Sequence, residues 1–246
     1  MTAPTLWALS GLAVQLQRNA TDSYALAGLN LRIHAGERVA LVGSNGCGKS
    51  TLLRVLNGLL PITAGSYEKA TGFKQSLLAQ TPHLLRTSVR NNVALAAWLR
   101  GTPWRDAKTL AEAQLSQLAL SHLTSRSAMQ LSVGQLQRVA LCQCLVTKPD
   151  VLLLDEPTAS LDPHAKRDVE TVVSDYVESP ATAAGLPRTL IFSSHNLGQV
   201  KRLATRVIYM EGGQVLVDLP AAAFFDETAM AHQAPSANLF LKGEKL

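Results

Sequence analysis

The spacing of apolar and polar residues predicts strands at the start of the chain. Apolar stretches at residues 6–16 and 26–33, separated by a polar segment, indicate short strands joined by turns. Arg38–Val42 predicts a further strand, and residues 50–60 have the apolar spacing of an amphipathic helix that ends at Pro61. A strand, a glycine-rich loop and a helix are therefore predicted in succession.

The pattern becomes helical between about residues 87 and 147, where three amphipathic segments follow one another. Strand patterns then return as VLLLD and TLIFSS, with helices predicted over Pro163–Glu178 and from Asn196 and two further strands at the end of the chain. Strands that alternate with helices are typical of a mostly parallel sheet covered on both faces. We therefore predict an α/β fold with a helical insertion at about 87–147.

Composition and charge add little that is specific. The chain has 246 residues, 47% of them hydrophobic, which is compatible with one large domain or two small ones. Its 23 basic and 18 acidic side chains give a formal net charge of +5, but they are scattered and form no long basic run with interleaved aromatic residues. No nucleic-acid partner is therefore expected.

The three cysteines and the hydropathy bear on cellular location. Cys47, Cys142 and Cys144 cannot all pair, and so few cysteines fit a reducing compartment. Cys142 and Cys144 are two residues apart on a predicted helix and point to different faces, which favours buried packing over a metal site. No apolar run approaches the length of a membrane span, so any role at a membrane is expected to use a partner.

A phosphate-binding loop is the clearest motif. The segment GSNGCGKST fits G-x-x-x-x-G-K-[ST] and lies between a predicted strand and a predicted helix, the context that this motif requires. Its backbone N–H groups and the helix N-terminus suit phosphates, Lys49 is predicted to reach the terminal phosphates, and Ser50 to hold Mg²⁺. The predicted nucleotide-binding residues are Gly43, Ser44, Asn45, Gly46, Cys47, Gly48, Lys49, Ser50 and Thr51.

Two carboxylates and a histidine follow the later strands. Asp155 and Glu156 end the buried strand VLLLD, at the edge of a parallel sheet where ligands bind. Because neighbouring strand residues face opposite ways, Asp155 is predicted to support Mg²⁺ while Glu156 orients a water for attack on the γ-phosphate. His195 follows the strand TLIFSS and is predicted to sense the phosphate or position the water.

Taken together, these motifs resemble the nucleotide-binding subunit of ATP-binding-cassette transporters over nearly the whole chain. The segment LSVGQLQR at residues 131–138 is similar to the family signature LSGGQxQR, which implies that Ser132, Gly134 and Gln135 contact the γ-phosphate bound by an opposite subunit in a head-to-tail dimer. The chain departs from the signature at Val133, where the family usually has glycine. A β-branched residue is expected to restrict this loop and to weaken closure of the dimer.

The resemblance also implies roles for isolated polar residues. Gln80, after the predicted strand at 73–78, resembles the glutamine that links Mg²⁺ to the transmembrane partner, and Asp162 lies in a loop similar to the one through which two cassettes communicate. His195 matches the family's switch histidine. For the aromatic residue that stacks on adenine the candidate is Tyr24, although aligning the following strand places Leu16 at that position.

The implied architecture is a single cassette domain over residues 1–246. It has a P-loop NTPase core with a mostly parallel sheet, an N-terminal antiparallel β subdomain and a helical signature subdomain. The segment QTPHLLRTSVRNNVALAAWLRG resembles the surface that receives a coupling helix from the membrane subunit. The chain ends soon after its last predicted strand, which implies a bare cassette without the regulatory domain of some sugar-importer ATPases.

The implied function is hydrolysis of ATP, with Mg²⁺, to drive an importer from the cytoplasmic face of the cell membrane. Partners would be a second copy of the cassette, transmembrane permease subunits and, indirectly, an external substrate-binding protein. The segments TSVRNNVALAAWLRG, DEPTASLDP, SSHNLGQVKRLA and FLKGE are most similar to ATPases of importers of tungstate or related oxyanions.

Sequence alone leaves two alternatives open and disfavours a third. One is an importer or exporter ATPase for another substrate. Another is a soluble cassette ATPase acting on nucleic acid, although the signature lies too close to the phosphate loop for the long coiled coil of chromosome-maintenance ATPases. A GTPase is disfavoured because the chain lacks an NKxD base-reading motif.

Overall fold

A computed structural model describes residues 3–18, 21–180, 185–226 and 235–243. Residues 227–234 and 244–246 lie outside the described residues, and with them the last residue of the segment FLKGE. The described strands are β1 (Thr5–Arg18), β2 (Thr21–His34), β3 (Arg38–Val42), β4 (Ala64–Lys69), β5 (Gln75–Leu78), β6 (Val151–Asp155), β7 (Thr189–Ser193), β8 (Arg206–Glu211) and β9 (Gln214–Pro220). The described helices are α1 (Lys49–Leu56), α2 (Val89–Trp98), α3 (Trp104–Gln117), α4 (Val133–Leu145), α5 (Pro163–Glu178), α6 (Leu197–Leu203), α7 (Ala221–Phe224) and α8 (Pro235–Leu241).

The larger sheet has six strands in the order β5-β6-β7-β3-β8-β9, and only the β8–β9 pair is antiparallel. This confirms the predicted α/β fold with a mostly parallel sheet. The order places β7 between β3 and β6, so the carboxyl ends of these three strands meet along one edge of the sheet. The loop at 43–48, the carboxylates after β6 and the histidine after β7 therefore leave the sheet at neighbouring points.

The two faces of the parallel sheet pack against different layers, and the strand sequences alternate accordingly. In β6, Leu152 and Leu154 join a core with the helices α2 to α5, whereas Val151 and Leu153 join a second core with α1, β1 and β2. All five residues of β6 are buried, as expected for a parallel strand covered on both faces. This double burial explains the continuous apolar run VLLL that precedes Asp155.

The smaller sheet is antiparallel, with the order β2-β1-β4. Each of β1 and β2 has 14 residues, so the prediction of short strands was wrong in length; they pair over their whole length through several register shifts. Strand β4 was not predicted, because its residues are mostly exposed and it lacks an apolar stripe; it is an edge strand that pairs Tyr67 with Leu9.

Arg206 on β8 connects the two sheets. Its guanidinium donates to Asp218 on β9 at 2.6 Å, to the Glu37 carboxylate at 2.9 Å and to the Arg32 carbonyl of β2 at 2.9 Å. A planar group with several donors can satisfy acceptors from three segments at once. This cluster holds the antiparallel sheet against the edge of the parallel sheet.

Helix α1 ends earlier than predicted, at Leu56 instead of about residue 60. Gly58 has a φ of +78°, and its N–H donates to the Val55 carbonyl at 2.9 Å, while the next N–H donates to the Arg54 carbonyl. A left-handed glycine just past a helix satisfies the last carbonyls and stops the helix. Gly58, and not Pro61, therefore terminates α1.

Helices α2, α3 and α4 follow one another between β5 and β6 and lie within the interval 87–147. Ser88 and Ser132 cap α2 and α4 by accepting hydrogen bonds from backbone N–H groups of the first turn. Cys142 and Cys144 are both buried in this layer, as predicted, and burial raises the pKa of the Cys144 thiol to about 12. Within the described ranges, no helix is both long and apolar enough to cross a membrane.

Candidate active site

The loop between β3 and α1 has a backbone that only glycine can adopt at two points. Gly43 has a φ of +141° and Gly48 a φ of +108°. A Cβ atom would overlap the Met210 carbonyl oxygen at Gly43 and the Ala25 carbonyl oxygen at Gly48. The glycines of the motif thus serve close approach between the loop and two neighbouring strands, β8 and β2.

Lys49, the first residue of α1, is buried at the centre of this loop. Its Nζ donates to the Gly43 carbonyl at 2.8 Å and the Ser44 carbonyl at 2.9 Å, and it lies 3.7 Å from Cys47 Sγ. The ammonium group and the N-terminus of α1 place positive charge at the same point. The loop is therefore chemically suited to bind the phosphates of a nucleotide.

Three side-chain oxygens meet next to the loop. Asp155 Oδ1, at the end of β6, accepts hydrogen bonds from Ser50 Oγ at 3.0 Å and from Ser193 Oγ at 2.7 Å. Among the described residues no three His, Cys, Asp or Glu side chains cluster as a metal cage. A carboxylate and a hydroxyl are hard oxygen donors, which fits Mg²⁺ because that ion is usually held by one or two carboxylates together with substrate phosphates and water.

Glu156 follows Asp155 with an unusual backbone. Its φ is +51°, in the left-handed region, and its N–H donates to Ser193 Oγ at 2.9 Å. Glu156 Oε1 lies 2.7 Å from His195 Nε2. Strained backbone of this kind is concentrated at functional sites, where the surrounding contacts must hold it in place.

The Glu156–His195 pair lies at the surface of the site. The Glu156 side chain is 13% exposed and the His195 side chain 36%, so the carboxylate is mostly buried and the imidazole is partly accessible to water. Burial and the nearby positive charge of Lys49 lower the pKa of His195, against the opposing effect of the Glu156 carboxylate. The neutral imidazole is thereby favoured, and it can donate its Nε2–H to the carboxylate.

The remaining predicted site residues lie elsewhere on the surface. Gln80 is exposed, two residues beyond β5. Asp162 is the N-cap of α5 and accepts from the N–H groups of Ala165 at 3.0 Å and His164 at 2.9 Å, and these hydrogen bonds lower the pKa of its carboxyl group. Within this chain, the Asp162 side chain caps helix α5.

The signature residues form the start of α4. Ser132 Oγ accepts from the Gln135 N–H at 3.3 Å, and the Ser132 N–H donates to Gln135 Oε1 at 3.1 Å, so the two residues form a capping box. An added Cβ at Gly134 would lie 3.2 Å from Leu161 Cδ2. Gly134 therefore packs against the segment before Asp162, while Ser132 and Val133 are exposed to solvent.

Val133 does not restrict a loop, contrary to expectation. It is the first residue of α4, a position with ordinary helical backbone, and it is absent from the described residues with positive φ. Its side chain is 67% exposed. The physical effect of valine at this position is thus an apolar side chain on the surface of the signature helix.

Tyr24 lies beside the phosphate loop, on β2 opposite Gln15 of β1. It is 55% exposed, and the carbonyl of the next residue, Ala25, is the group that approaches Gly48. Leu16, the other candidate for contact with adenine, is partly buried and packs against the core of the antiparallel sheet. Tyr24 therefore presents a broadly exposed ring next to the loop, whereas Leu16 offers only a partly buried aliphatic side chain.

Sequence reasoning missed Ser193, which bonds both Asp155 and the backbone of Glu156. It also missed the buried polar residues Thr158, Ser194 and Gln199 behind His195. A detectable signal was present, because two serines end an otherwise apolar strand at the sheet edge where ligands bind. Their partners depend on β6 and β7 being neighbours, which the linear sequence does not specify.

Residues 26–159 match a protein family described as ABC transporter. Among curated proteins, the chain is 37% identical over 229 residues to the nickel import ATP-binding protein NikO of Rhodobacter capsulatus, covering 85% of this chain and 89% of that protein. It is 32% identical over 192 residues to the tungstate uptake system ATP-binding protein TupC of Peptoclostridium acidaminophilum, covering 76% and 87%. A solved dimer of the ATP-binding cassette MJ0796 with ADP and Pi has a similar fold, with a TM-score of 0.79 and 24% identity over 88% of this chain and 99% of that one.

Proposed function

The chain belongs to the ABC transporter family as an ATP-binding, ATP-hydrolysing subunit of a transporter, and from that premise we propose that it energises an importer. The observation that carries the catalytic part of this proposal is the contact of 2.7 Å between Glu156 and His195, beside the buried Lys49 and Asp155. These groups come from the ends of β6, β7 and β3, so one chain supplies both a phosphate loop and a carboxylate for water activation.

In this proposal the nucleotide phosphates occupy the loop 43–51, with Lys49 exchanging its loop carbonyl partners for phosphate oxygens. Ser50, Asp155 and Gln80 would hold Mg²⁺, which when bound neutralises part of the charge on the phosphates. Tyr24 would stack on the adenine. The exposed ring and its position next to Gly48 support that role.

For hydrolysis, Glu156 accepts a hydrogen bond from the attacking water and aligns it with the γ-phosphorus. The water oxygen forms a new P–O bond, the bond to the oxygen bridging the β- and γ-phosphates breaks, and the water proton passes to the Glu156 carboxylate. His195 holds Glu156 in place through Nε2 and, when neutral, donates a hydrogen bond. The products are ADP and inorganic phosphate.

A second copy of the chain would complete each site. Ser132, Gly134 and Gln135 of one copy would contact the γ-phosphate held by the loop of the other, and Asp162 would lie between the two sites. The exposure of Ser132 and Val133 at the start of α4 supports this arrangement. Residues 1–246 would then be one cassette domain, with 87–147 as its helical subdomain.

The membrane partner would be a separate permease, which receives substrate from an external binding protein. A groove between β5 and α2, lined in part by Leu77, His83 and Leu95, supports docking of a permease segment near Gln80. The chain would then work at the cytoplasmic face of the cell membrane as a peripheral subunit. The basic residues of the chain form no concentrated run, so nucleic acid is not proposed as a partner.

For the cargo, we propose tungstate or a related oxyanion. The similarity to TupC supports this choice, while the similarity to NikO makes a metal-ion importer the first alternative. A strain that lacks the gene should lose tungstate accumulation and keep nickel accumulation, measured by elemental analysis of cells. If the strain loses nickel accumulation alone, the cargo is a metal ion and not an oxyanion. The proposed ATPase function would be unaffected.

The shared site can be tested by mixing two inactive variants, Lys49→Ala and Ser132→Arg. Neither homodimer should hydrolyse ATP, because the first lacks both loops and the second lacks both signatures. In a mixed dimer one site combines an intact loop with an intact signature, so an equal mixture should recover about a quarter of wild-type ATPase activity if sites work independently.

Absence of recovery, with mixed dimers demonstrated by differently tagged chains, would contradict a site shared between copies. Thermal unfolding of each variant controls for folding, since Ser132→Arg also removes a helix cap that contributes about 1 kcal/mol. Stimulation of ATP hydrolysis by DNA or RNA, in a salt-sensitive manner, would instead support the nucleic-acid alternative.

A further inference from the structure

Gln199, on the first turn of α6, is a buried amide with both ends of its side chain bonded. It is 1% exposed. Its Oε1 accepts from Ser194 Oγ at 2.8 Å, and its Nε2 donates to Thr158 Oγ1 at 3.1 Å. Thr158 and Ser194 are also buried, so these hydrogen bonds are shielded from water and costly to leave unmade.

The first of these contacts fixes the backbone on both sides of His195. Ser194 Oγ, besides donating to Gln199, accepts from the Asn196 N–H at 3.0 Å. The Asn196 side chain in turn accepts from the Gln199 N–H at 3.0 Å. The residues before and after His195 are therefore both tied to the start of α6, and the turn that carries the imidazole is closed by three hydrogen bonds.

The second contact reaches a different connection. Thr158 lies two residues after Glu156, in the segment that leads from β6 to Asp162 and α5. Gln199 thus links the connection that carries Glu156 to the turn that carries His195. It reaches neither side chain of the pair directly, so its influence on their separation runs through the backbone.

We propose, on the basis of the proposed ATPase function, that Gln199 is a positioning residue which sets His195 against Glu156 through Ser194 and Thr158. The hydrogen bond between His195 and Glu156 is partly exposed and cannot by itself hold two connections in register. The buried amide of Gln199, which bonds both connections, holds them in register. Gln199 also makes the segment 156–162 and the His195 turn move as one unit.

The test uses the full chain with two isosteric replacements, Gln199→Met and Thr158→Val, and one conservative replacement, Thr158→Ser. Both isosteric variants should lower kcat for ATP hydrolysis by about 10- to 100-fold, because a misplacement on the order of 1 Å has an effect of this size. KM for ATP should stay within about twofold, since the phosphate loop is untouched, and Thr158→Ser should retain near wild-type kcat because it keeps the hydroxyl.

A second comparison separates positioning from simple support of the fold. In a His195→Ala background, Gln199→Met should cause no further loss of kcat, because its effect runs through His195. Tyr176→Phe is a control elsewhere in the chain: the Tyr176 hydroxyl is buried and donates to the Pro149 carbonyl at 2.9 Å, and kcat of this variant should stay unchanged. Thermal unfolding ensures that all rates are measured on folded protein.

Wild-type kcat for folded Thr158→Val and Gln199→Met would overturn this proposal, as would full additivity with His195→Ala. Neither result would affect the proposed ATPase function. That function fails on a different observation, namely normal turnover when Glu156 itself is replaced.

Discussion

The loop side of the site and the signature side differ in how far this chain completes them. On the loop side, Lys49, Ser50, Asp155 and Glu156 are bonded to groups of the same chain and are largely withdrawn from solvent. On the signature side, Ser132 and Gln135 bond each other, and the valine between them is exposed. One side is organised by the fold, and the other is an ordinary helix start with an accessible surface.

The two sides should therefore respond differently to substitution. Where side chains are fixed by several buried hydrogen bonds, a single change removes an arranged chemical group and should alter the rate directly. Where the residues are exposed and bonded only locally, a change should act on association with another surface. Substitutions on the loop side are therefore expected to change turnover strongly, and substitutions on the signature side to change dimer affinity by less.

Glu156→Gln should reduce ATP turnover by about 10²- to 10⁴-fold, because the carboxylate proposed to orient and deprotonate the attacking water is lost. ATP binding should persist, since the loop contacts are unchanged, and a dimer should accumulate with ATP. Steady-state phosphate release and gel filtration measure the two effects. Glu178→Gln, an exposed change on α5 far from the loop, serves as the matched control; unchanged turnover in Glu156→Gln would remove the catalytic role of this residue.

Tyr24→Ala should weaken ATP binding by about two- to tenfold, the range expected for one aromatic stacking contact. Calorimetric titration gives the affinity directly. Leu16→Ala is the informative comparison. Because Leu16 packs on the core, that variant should mainly lower the melting temperature, with a smaller effect on the affinity for ATP. A larger loss of affinity in Leu16→Ala than in Tyr24→Ala would assign the adenine contact to Leu16.

Val133→Gly should tighten ATP-dependent dimerisation by a few-fold, on the order of 1 kcal/mol or less, by removing a side chain from the signature surface. The dimer affinity is best measured in the Glu156→Gln background, where hydrolysis does not drain the complex. Leu216→Ala removes exposed apolar surface from β9 and controls for general stickiness. Equal affinity before and after Val133→Gly would show that the valine has no cost for dimerisation.

The pKa of His195 should lie below its usual value of 6.5, with burial as the main cause and Lys49 as the next. Since the folded state disfavours the protonated ring, the stability linked to neutral His195 is present above pH 6.5 and is lost as the pH falls through the lower folded-state pKa. An NMR titration should show this pKa rising in Lys49→Met and falling further in Glu156→Gln. Movement in the opposite directions would contradict the assigned charges.

Much of the loop side could be predicted because its signals are local. Helix α5 begins and ends as predicted, since Asp162 caps it and Pro163 occupies its first turn. Likewise β6 was evident from its four consecutive apolar residues, VLLL, before Asp155. The Glu156–His195 contact was not predictable in detail, because it depends on β6 and β7 being adjacent in the sheet and on the left-handed turn at Glu156.

The errors had equally specific causes. Pro61 was a stronger breaker in the sequence than Gly58, yet the left-handed glycine ends α1 first. Strand β4 lacks alternation because it is an edge strand whose position is set by pairing with β1. Val133 was expected to lie in a loop before the helix. Sequence patterns locate a helix start only to within a residue or two, and α4 begins at Val133 itself.

The left-handed backbone at Glu156 has a consequence for how the chain trades stability against activity. A glutamate at φ +51° is less stable there than glycine or asparagine by an amount on the order of 1 kcal/mol, and this cost is borne in every folded molecule. Glu156→Gly should therefore raise the melting temperature of the protein while abolishing its turnover. Stability alone would favour glycine at this position, and the catalytic role proposed for Glu156 accounts for a glutamate there at the expense of the fold.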